Sequence, residues 1–151
     1  MKSEFVGFLS SLSFAYSHAC QPVCRELQLT QTAFDILMFL ANHPEYNTAR
    51  DICRYRGIKS NLVSFTVDKL VREGYLFRRP VPEDRRKIAL ICTEKSAPVI
   101  ERGRTVQNEF SCAMMENLTQ EDRIRMESYM SVMQKNADRL RYAGNIPEKK
   151  E

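Results

Sequence analysis

Lys59, Ser60, Asn61 and Ser64 place an ammonium, two hydroxyls and an amide on closely spaced positions near the middle of the chain. Short or flexible hydrogen-bonding groups at the start of a helix can read the donor and acceptor pattern that base pairs present in a DNA major groove about 12 Å wide. Further along, Arg85 and Arg86 follow Pro80, Pro82 and Asp84. A guanidinium on such a turn suits a narrow minor groove, where the negative potential is enhanced. The neighbouring carboxylate of Asp84 can steady it through a charge-assisted hydrogen bond. The plainer reading of the first group is a solvated helix start, and of the second a solubilising turn. The order of elements around them favours DNA contact. Arg50, Arg54 and Arg56 are explained as well by an ordinary charged surface as by contact with phosphates.

Charge distribution supports this reading more than charge itself. The formal net charge is only +4, but residues 48–87 hold eleven Lys or Arg against five Asp or Glu, a balance of +6, which leaves −2 for the rest. A basic middle between near-neutral ends is the electrostatic footprint of a nucleic-acid-binding module. Catalytic chemistry is poorly provided for. The two histidines form no Ser-His-acid or Cys-His set, and no glycine-rich phosphate loop is present, so the expectation is a protein that is not an enzyme. The five cysteines are odd in number and scattered, which argues against a disulfide framework. Cys20 and Cys24, with His18 nearby, could be drawn as a metal cluster or thiol sensor. Pro22 spoils clean helical spacing between them and a fourth ligand is missing, so packing cysteines are preferred, with no metal and no cofactor. The longest apolar runs, such as Phe34–Ala41 with Asp35 interrupting it, fall well short of a membrane span, and the N-terminus lacks the pattern of a leader. A cytoplasmic protein with no membrane partner is expected.

These residues need elements to position them, and 151 residues with 43% hydrophobic and 28% charged composition can fold as one globular domain. Phe5, Phe8, Leu9, Leu12, Tyr16 and Ala19 form one helical stripe over residues 4–20, which Pro22 should end or kink. Thr30 reads as the N-cap of a second helix, with Leu29 and Phe34 as a hydrophobic staple. Thr48 and Asp51 form a capping box for a short helix, 49–55. Gly57 permits the tight turn that follows, and a helix over 60–73 points Leu62, Val63, Val67, Leu70 and Val71 inward, with Gly74 as its cap. Residues 75–79 and 87–92 read as strands joined by a turn over 80–86. Thr93 caps a further helix to about Glu116, and Thr119 with Asp122 opens the last, whose Met126, Met130, Met133, Ala137 and Leu140 recur at heptad-like spacing. The expected class is mainly α with a small β-hairpin wing, that is, a winged helix-turn-helix flanked by N- and C-terminal helices.

In this order and spacing the chain resembles the MarR family of bacterial regulators over roughly residues 4–141. The resemblance rests on Leu29-Thr30, on Val63-Ser64-x-x-Val67-Asp68-x-Leu70, on Glu73-Gly74-Tyr75-Leu76-x-Arg78, on Asp84-Arg85-Arg86 and on Leu90-Ile91-x-Thr93-Glu94-Lys95. It implies a homodimer whose first and last helices (4–28 and 94–142) pair between subunits, and a winged helix-turn-helix over 30–93 that binds a pseudo-palindromic double-stranded operator; the tail over 143–151 is polar and is expected to fray. It further implies transcriptional regulation, most often repression, relieved by a small-molecule effector or by oxidation. Carried over by residue, Lys59, Ser60, Asn61, Ser64 and Phe65 lie on the recognition helix, Arg85 and Arg86 on the wing with Asp84 as support, and Arg54 and Arg56 beside them. Phe65 is a departure, since many members carry arginine there. Phe5, Phe8, Leu12, Met126, Met130, Met133 and Leu140 fall at the dimer interface, and Phe14, Tyr16 and His18 border a possible ligand pocket. The reactive cysteine of the peroxide-sensing branch would fall near Val6, so that match fails. A winged-helix module that binds protein instead of DNA is the competing class.

Overall fold

A computed structural model describes residues 2–143, which form six α-helices, a short 3-10 turn and one two-stranded antiparallel sheet. This is the mainly helical, winged architecture that the sequence predicts. In chain order the elements are α1 (Lys2–Glu26), α2 (Gln31–Asn42), α3 (Ala49–Arg56), α4 (Ser60–Arg72), β1 (Leu76–Val81), β2 (Asp84–Cys92), the 3-10 turn Glu94–Ser96, α5 (Ala97–Met114) and α6 (Gln120–Ala143). The chain divides into two compact units, one up to Phe110 and one from Ser111 onward. Apart from Ala143, the expected frayed tail lies outside the described residues.

In the first unit α2 is the central helix, burying Phe34, Ile36, Leu37 and Met38 almost completely. Cys20, Val23 and Cys24 of α1, Ile52 of α3, Val63, Val67 and Leu70 of α4, Leu76 and Leu90 of the hairpin and Val99 of α5 complete one apolar cluster. The caps form as their residue types require. Thr30 Oγ1 accepts from the Ala33 N–H at 3.2 Å, and Thr48 and Asp51 make a reciprocal capping box. Gly103 lets α5 approach α2 closely, because a Cβ there would stand 2.2 Å from Met38 Sδ.

Four expectations need correction. Pro22 does not end α1; the helix continues to Glu26 with Pro22 inside it. The bond it forfeits is to the carbonyl of His18, an exposed residue where water can serve instead. Leu62 does not point inward but is 44% exposed, and Thr66 takes the buried place on that face. The wing turn is two residues, Pro82 and Glu83, not 80–86, so Arg85 and Arg86 belong to β2. Thr93 makes no side-chain cap; its hydroxyl donates to the carbonyls of Gly74 (2.6 Å) and Tyr75 (3.2 Å), tying the base of the wing to the end of α4.

In the second unit, Thr119 and Asp122 make the predicted box, with Thr119 N to Asp122 Oδ2 at 3.1 Å and Asp122 N to Thr119 Oγ1 at 3.2 Å. The Thr119 hydroxyl and backbone amide hold the Asp122 carboxyl below its ordinary value. Arg123 donates to the carbonyls of Met115 and Leu118, closing the turn that precedes α6.

Candidate nucleic-acid interface

The turn between α3 and α4 sets the direction of the recognition helix. Gly57 sits in the left-handed region at φ +65°, and its N–H donates to the Cys53 carbonyl at 3.0 Å. That conformation favours glycine, and Ile58 then packs against the core beneath the turn. From there α4 buries Val63, Thr66, Val67 and Leu70 on one face. With 3.6 residues per turn, Asn61, Phe65, Asp68 and Arg72 align on the opposite face, flanked by Ser64, and all five are exposed. Lys59 and Ser60 are exposed at the helix start. The Asn61 side-chain oxygen accepts from the Leu62 N–H at 2.9 Å, leaving its amide NH₂ able to donate outward.

The hairpin is fastened to this helix and to the chain before α3. Leu90 N–H donates to the Asn47 carbonyl at 2.8 Å, and Asp68 of α4 pairs with Arg78 of β1. Ser96 Oγ donates to the Tyr75 carbonyl at 2.5 Å, and Lys95 Nζ reaches the Glu73 carbonyl at 2.7 Å while lying 4.6 Å from the centre of the Tyr75 ring. Pairing runs from Leu76↔Cys92 to Pro80↔Ile88 and then shifts between Pro80 and Val81, so the tip is irregular. At the tip Asp84 Oδ1 accepts from the Arg86 backbone N–H at 3.0 Å, and Asp84 Oδ2 lies 3.9 Å from Lys87 Nζ. Asp84 thus shapes the strand that carries Arg86 and leaves both arginine side chains exposed.

Of the flanking arginines, Arg54 lies over the Tyr55 ring at 5.4 Å. Arg56 Nη2 approaches Asp35 Oδ1 of α2 at 4.0 Å, and Gln31 Nε2 donates to the same oxygen at 3.0 Å. Burial raises the Asp35 carboxyl above its ordinary value despite both partners. Asp35 was not legible as a site residue, because one acid on a helix of apolar residues carries no spacing signal.

Of the three proposed pocket residues, Phe14 and His18 lie together and Tyr16 lies apart from them. Phe14 is 77% exposed and stacks on His18, with ring centres 6.4 Å apart, beside a shallow depression lined only by α1. Tyr16 faces elsewhere. Its ring meets Phe110 edge-on at 5.4 Å, its hydroxyl accepts from Gln107 Nε2 at 2.9 Å, and burial pushes that hydroxyl up to about 12. Tyr16, Asp35, Met38, Phe39, Asn42, His43, Arg56 and Gln107 line a cavity of about 140 Å³. The cysteines near His18 are interior: Cys20 is fully buried and Cys24 nearly so, and burial raises both thiols, that of Cys24 to about 11. Phe5, Phe8, Met126, Met130, Met133 and Leu140 are exposed and Leu12 half-buried, each helix offering apolar side chains to its surroundings.

A family model described as the MarR family matches residues 27–87, which span α2 through the wing tip. Solved structures extend the likeness in fold. The chain is similar to a MarR protein from Peptoclostridium difficile at 20% identity and TM-score 0.81, covering 96% of this chain and 94% of that one. It is similar to a MarR transcriptional regulator from Methanosarcina mazei at 21% identity and TM-score 0.76, with 91% and 99% covered. A transcriptional regulator from Thermotoga maritima matches at 25% identity and TM-score 0.58, with 91% and 96% covered. A helix-turn-helix capped as its sequence demands and a wing fastened to α4 agree with these matches: residues 27–87 are similar to the MarR family, and the chain shares the fold of its solved members.

Proposed function

We propose that the chain is a sequence-specific double-stranded-DNA-binding transcriptional regulator, working as a homodimer and acting as a repressor released by a small ligand. One observation carries the reading: the exposed polar start of α4 and the exposed arginines of β2 belong to a helix and a hairpin that the Asp68–Arg78 pair joins through β1, within a stretch of balance +6. Lys59, Ser60, Asn61 and Ser64 would enter a major groove, while Arg85 and Arg86 follow the backbone into the adjacent minor groove. In a dimer this repeats on a second half-site, which suits a pseudo-palindromic operator. The exposed apolar residues of α1 and of α6 supply surfaces for that pairing.

Release by a ligand has a physical route in the small cavity beside Tyr16. Its Asp35–Arg56 approach joins the core helix α2 to the last residue of α3, immediately before the turn that aims α4. A ligand that binds better when Arg56 has left Asp35 would shift the population toward misdirected recognition helices. At about 140 Å³ the cavity is smaller than a typical drug-sized site, so it accepts a small effector or the end of a larger one.

A winged-helix module that binds protein is the second reading, favoured by the exposure of Leu62 and Phe65 on α4. Fluorescence anisotropy of the purified protein with DNA from the region upstream of its own gene, across a salt series, separates the two. Regulation by DNA binding predicts saturable association, tighter than to scrambled duplex and falling steeply with salt. Equal, weak binding to a broad set of duplexes would shift the assignment to protein recognition.

A further inference from the structure

Phe65 stands one turn beyond Asn61 on α4, on the same outward face, and its ring is 67% exposed. Leu62, three residues before it, is exposed beside it. Single exposed apolar residues are common and need no explanation. Here two adjoin on the exposed side of α4 that also carries Asn61, inside the most basic part of the chain, whose Lys59, Arg72, Arg85 and Arg86 are all exposed. That charge selects a polyanion as the occupant. If Asn61 reaches the floor of a major groove, helical geometry carries Phe65 into the groove with it. A phenyl ring donates no hydrogen bond to a base edge or to a phosphate. The apolar group that DNA offers in that groove is the C5-methyl of thymine.

We propose that Phe65, flanked by Leu62, is a specificity-determining residue that packs on thymine methyl groups, so that each half-site of the bound DNA requires thymine at the position the ring meets. The inference rests on the DNA-binding reading above and adds which base this helix selects. An arginine at this place would add a cationic contact and steepen the salt dependence. Phe65 replaces charge with shape, so its contribution to binding is independent of salt.

The test uses the full-length protein and a randomised duplex library. Selected sequences should show an invariant thymine in each half-site. Replacing that thymidine by deoxyuridine, which removes only the methyl group, should weaken binding by about fourfold per methyl, the worth of one buried methyl-sized group. The same replacement should have no effect on Phe65→Ala, whose slope of affinity against salt should equal that of the native protein. Phe65 lies outside the core, so this variant keeps the fold, and the deoxyuridine comparison on native protein stands without it. Enriched sequences that bind equally with thymidine or deoxyuridine would overturn the proposal while leaving DNA binding intact. A library that yields no enriched sequence would overturn both and return Leu62 and Phe65 to a protein interface.

Discussion

Asp35 shows how a single carboxylate reports on the joint between the core and the recognition helix. Burial raises its proton affinity more than Gln31 and Arg56 lower it, so the folded protein binds this proton more tightly than the unfolded chain does. The sign follows from linkage. The stabilisation is complete below the unfolded carboxyl value and is lost as pH rises through the raised folded value. Asp35→Asn, which keeps the shape and stays neutral, should therefore unfold at a higher temperature than the native protein in neutral buffer, and the difference should shrink in mildly acidic buffer. A variant less stable than native at neutral pH would mean that the Arg56 attraction outweighs burial. At the wing, Arg86 is exposed with its backbone N–H held by Asp84, so removing its side chain disturbs no packing. Arg86→Ala should weaken operator binding by roughly 1–3 kcal/mol, as loss of a good groove contact does; anisotropy on the selected duplex would measure it, and unchanged affinity would remove the wing from the interface. The buried thiols make the opposite kind of prediction. With both raised by burial, Cys20 and Cys24 stay protonated at neutral pH and should react with a thiol reagent only after denaturation, which argues against either as an oxidant sensor.

At the scale of elements, most of the fold was legible because its signals are local. Thr30, Thr48–Asp51 and Thr119–Asp122 each mark a helix start through a hydrogen bond made within three residues, and each is present. Gly57 marked the helix-to-helix turn for the same reason. Legibility failed where a tertiary partner decides. Leu62, expected inward, is exposed while Thr66 is buried, because only the direction of packing fixes which edge of α4 is covered. Pro80 reads as a turn residue, yet it pairs with Ile88 because a two-stranded ribbon has edges where a missing N–H is harmless. The Asp35–Arg56 approach joins residues far apart in sequence and could not be read at all. The two glycines with structural duties separate local from tertiary demands experimentally. Nothing lies within 4 Å of a Cβ built on Gly57, so Gly57→Ala should lose about 1–2 kcal/mol in urea unfolding from backbone strain alone. Asn tolerates the left-handed region, so Gly57→Asn should lose less. Gly103→Ala has no such escape. Its methyl would overlap Met38, which is itself buried, and overpacking of that kind costs about 1–3 kcal/mol. Equal losses for Ala and Asn at Gly57 would show that the turn is held by packing instead of by glycine's freedom.

For the whole molecule, the apolar surface left uncovered decides what a single chain can do alone. Phe5, Val6, Phe8 and Leu9 on α1, and Ile124, Met126, Tyr129, Met130, Val132 and Met133 on α6, are all more than a third exposed. Each helix thus carries a large contiguous run of the kind that marks an association surface. Pairing of the first and last helices between two copies would cover both runs and bring two winged units to one duplex. The second half-site then binds at a high effective concentration, which raises apparent affinity by on the order of a hundredfold or more over one unit. Phe8→Asp combined with Met130→Asp places a carboxylate in each seam, where a paired subunit would have to desolvate it. Sedimentation equilibrium should show native dimers and variant monomers. Because both positions lie outside the buried core, the first unit should keep its helical signal and its core. The monomer should bind an isolated half-site as the native protein does, and should lose the gain that the native dimer obtains from adding the second. A variant that remains dimeric would move the interface elsewhere. A monomer that binds the full operator as tightly as the native protein would show that reading this DNA needs only one recognition helix and one wing.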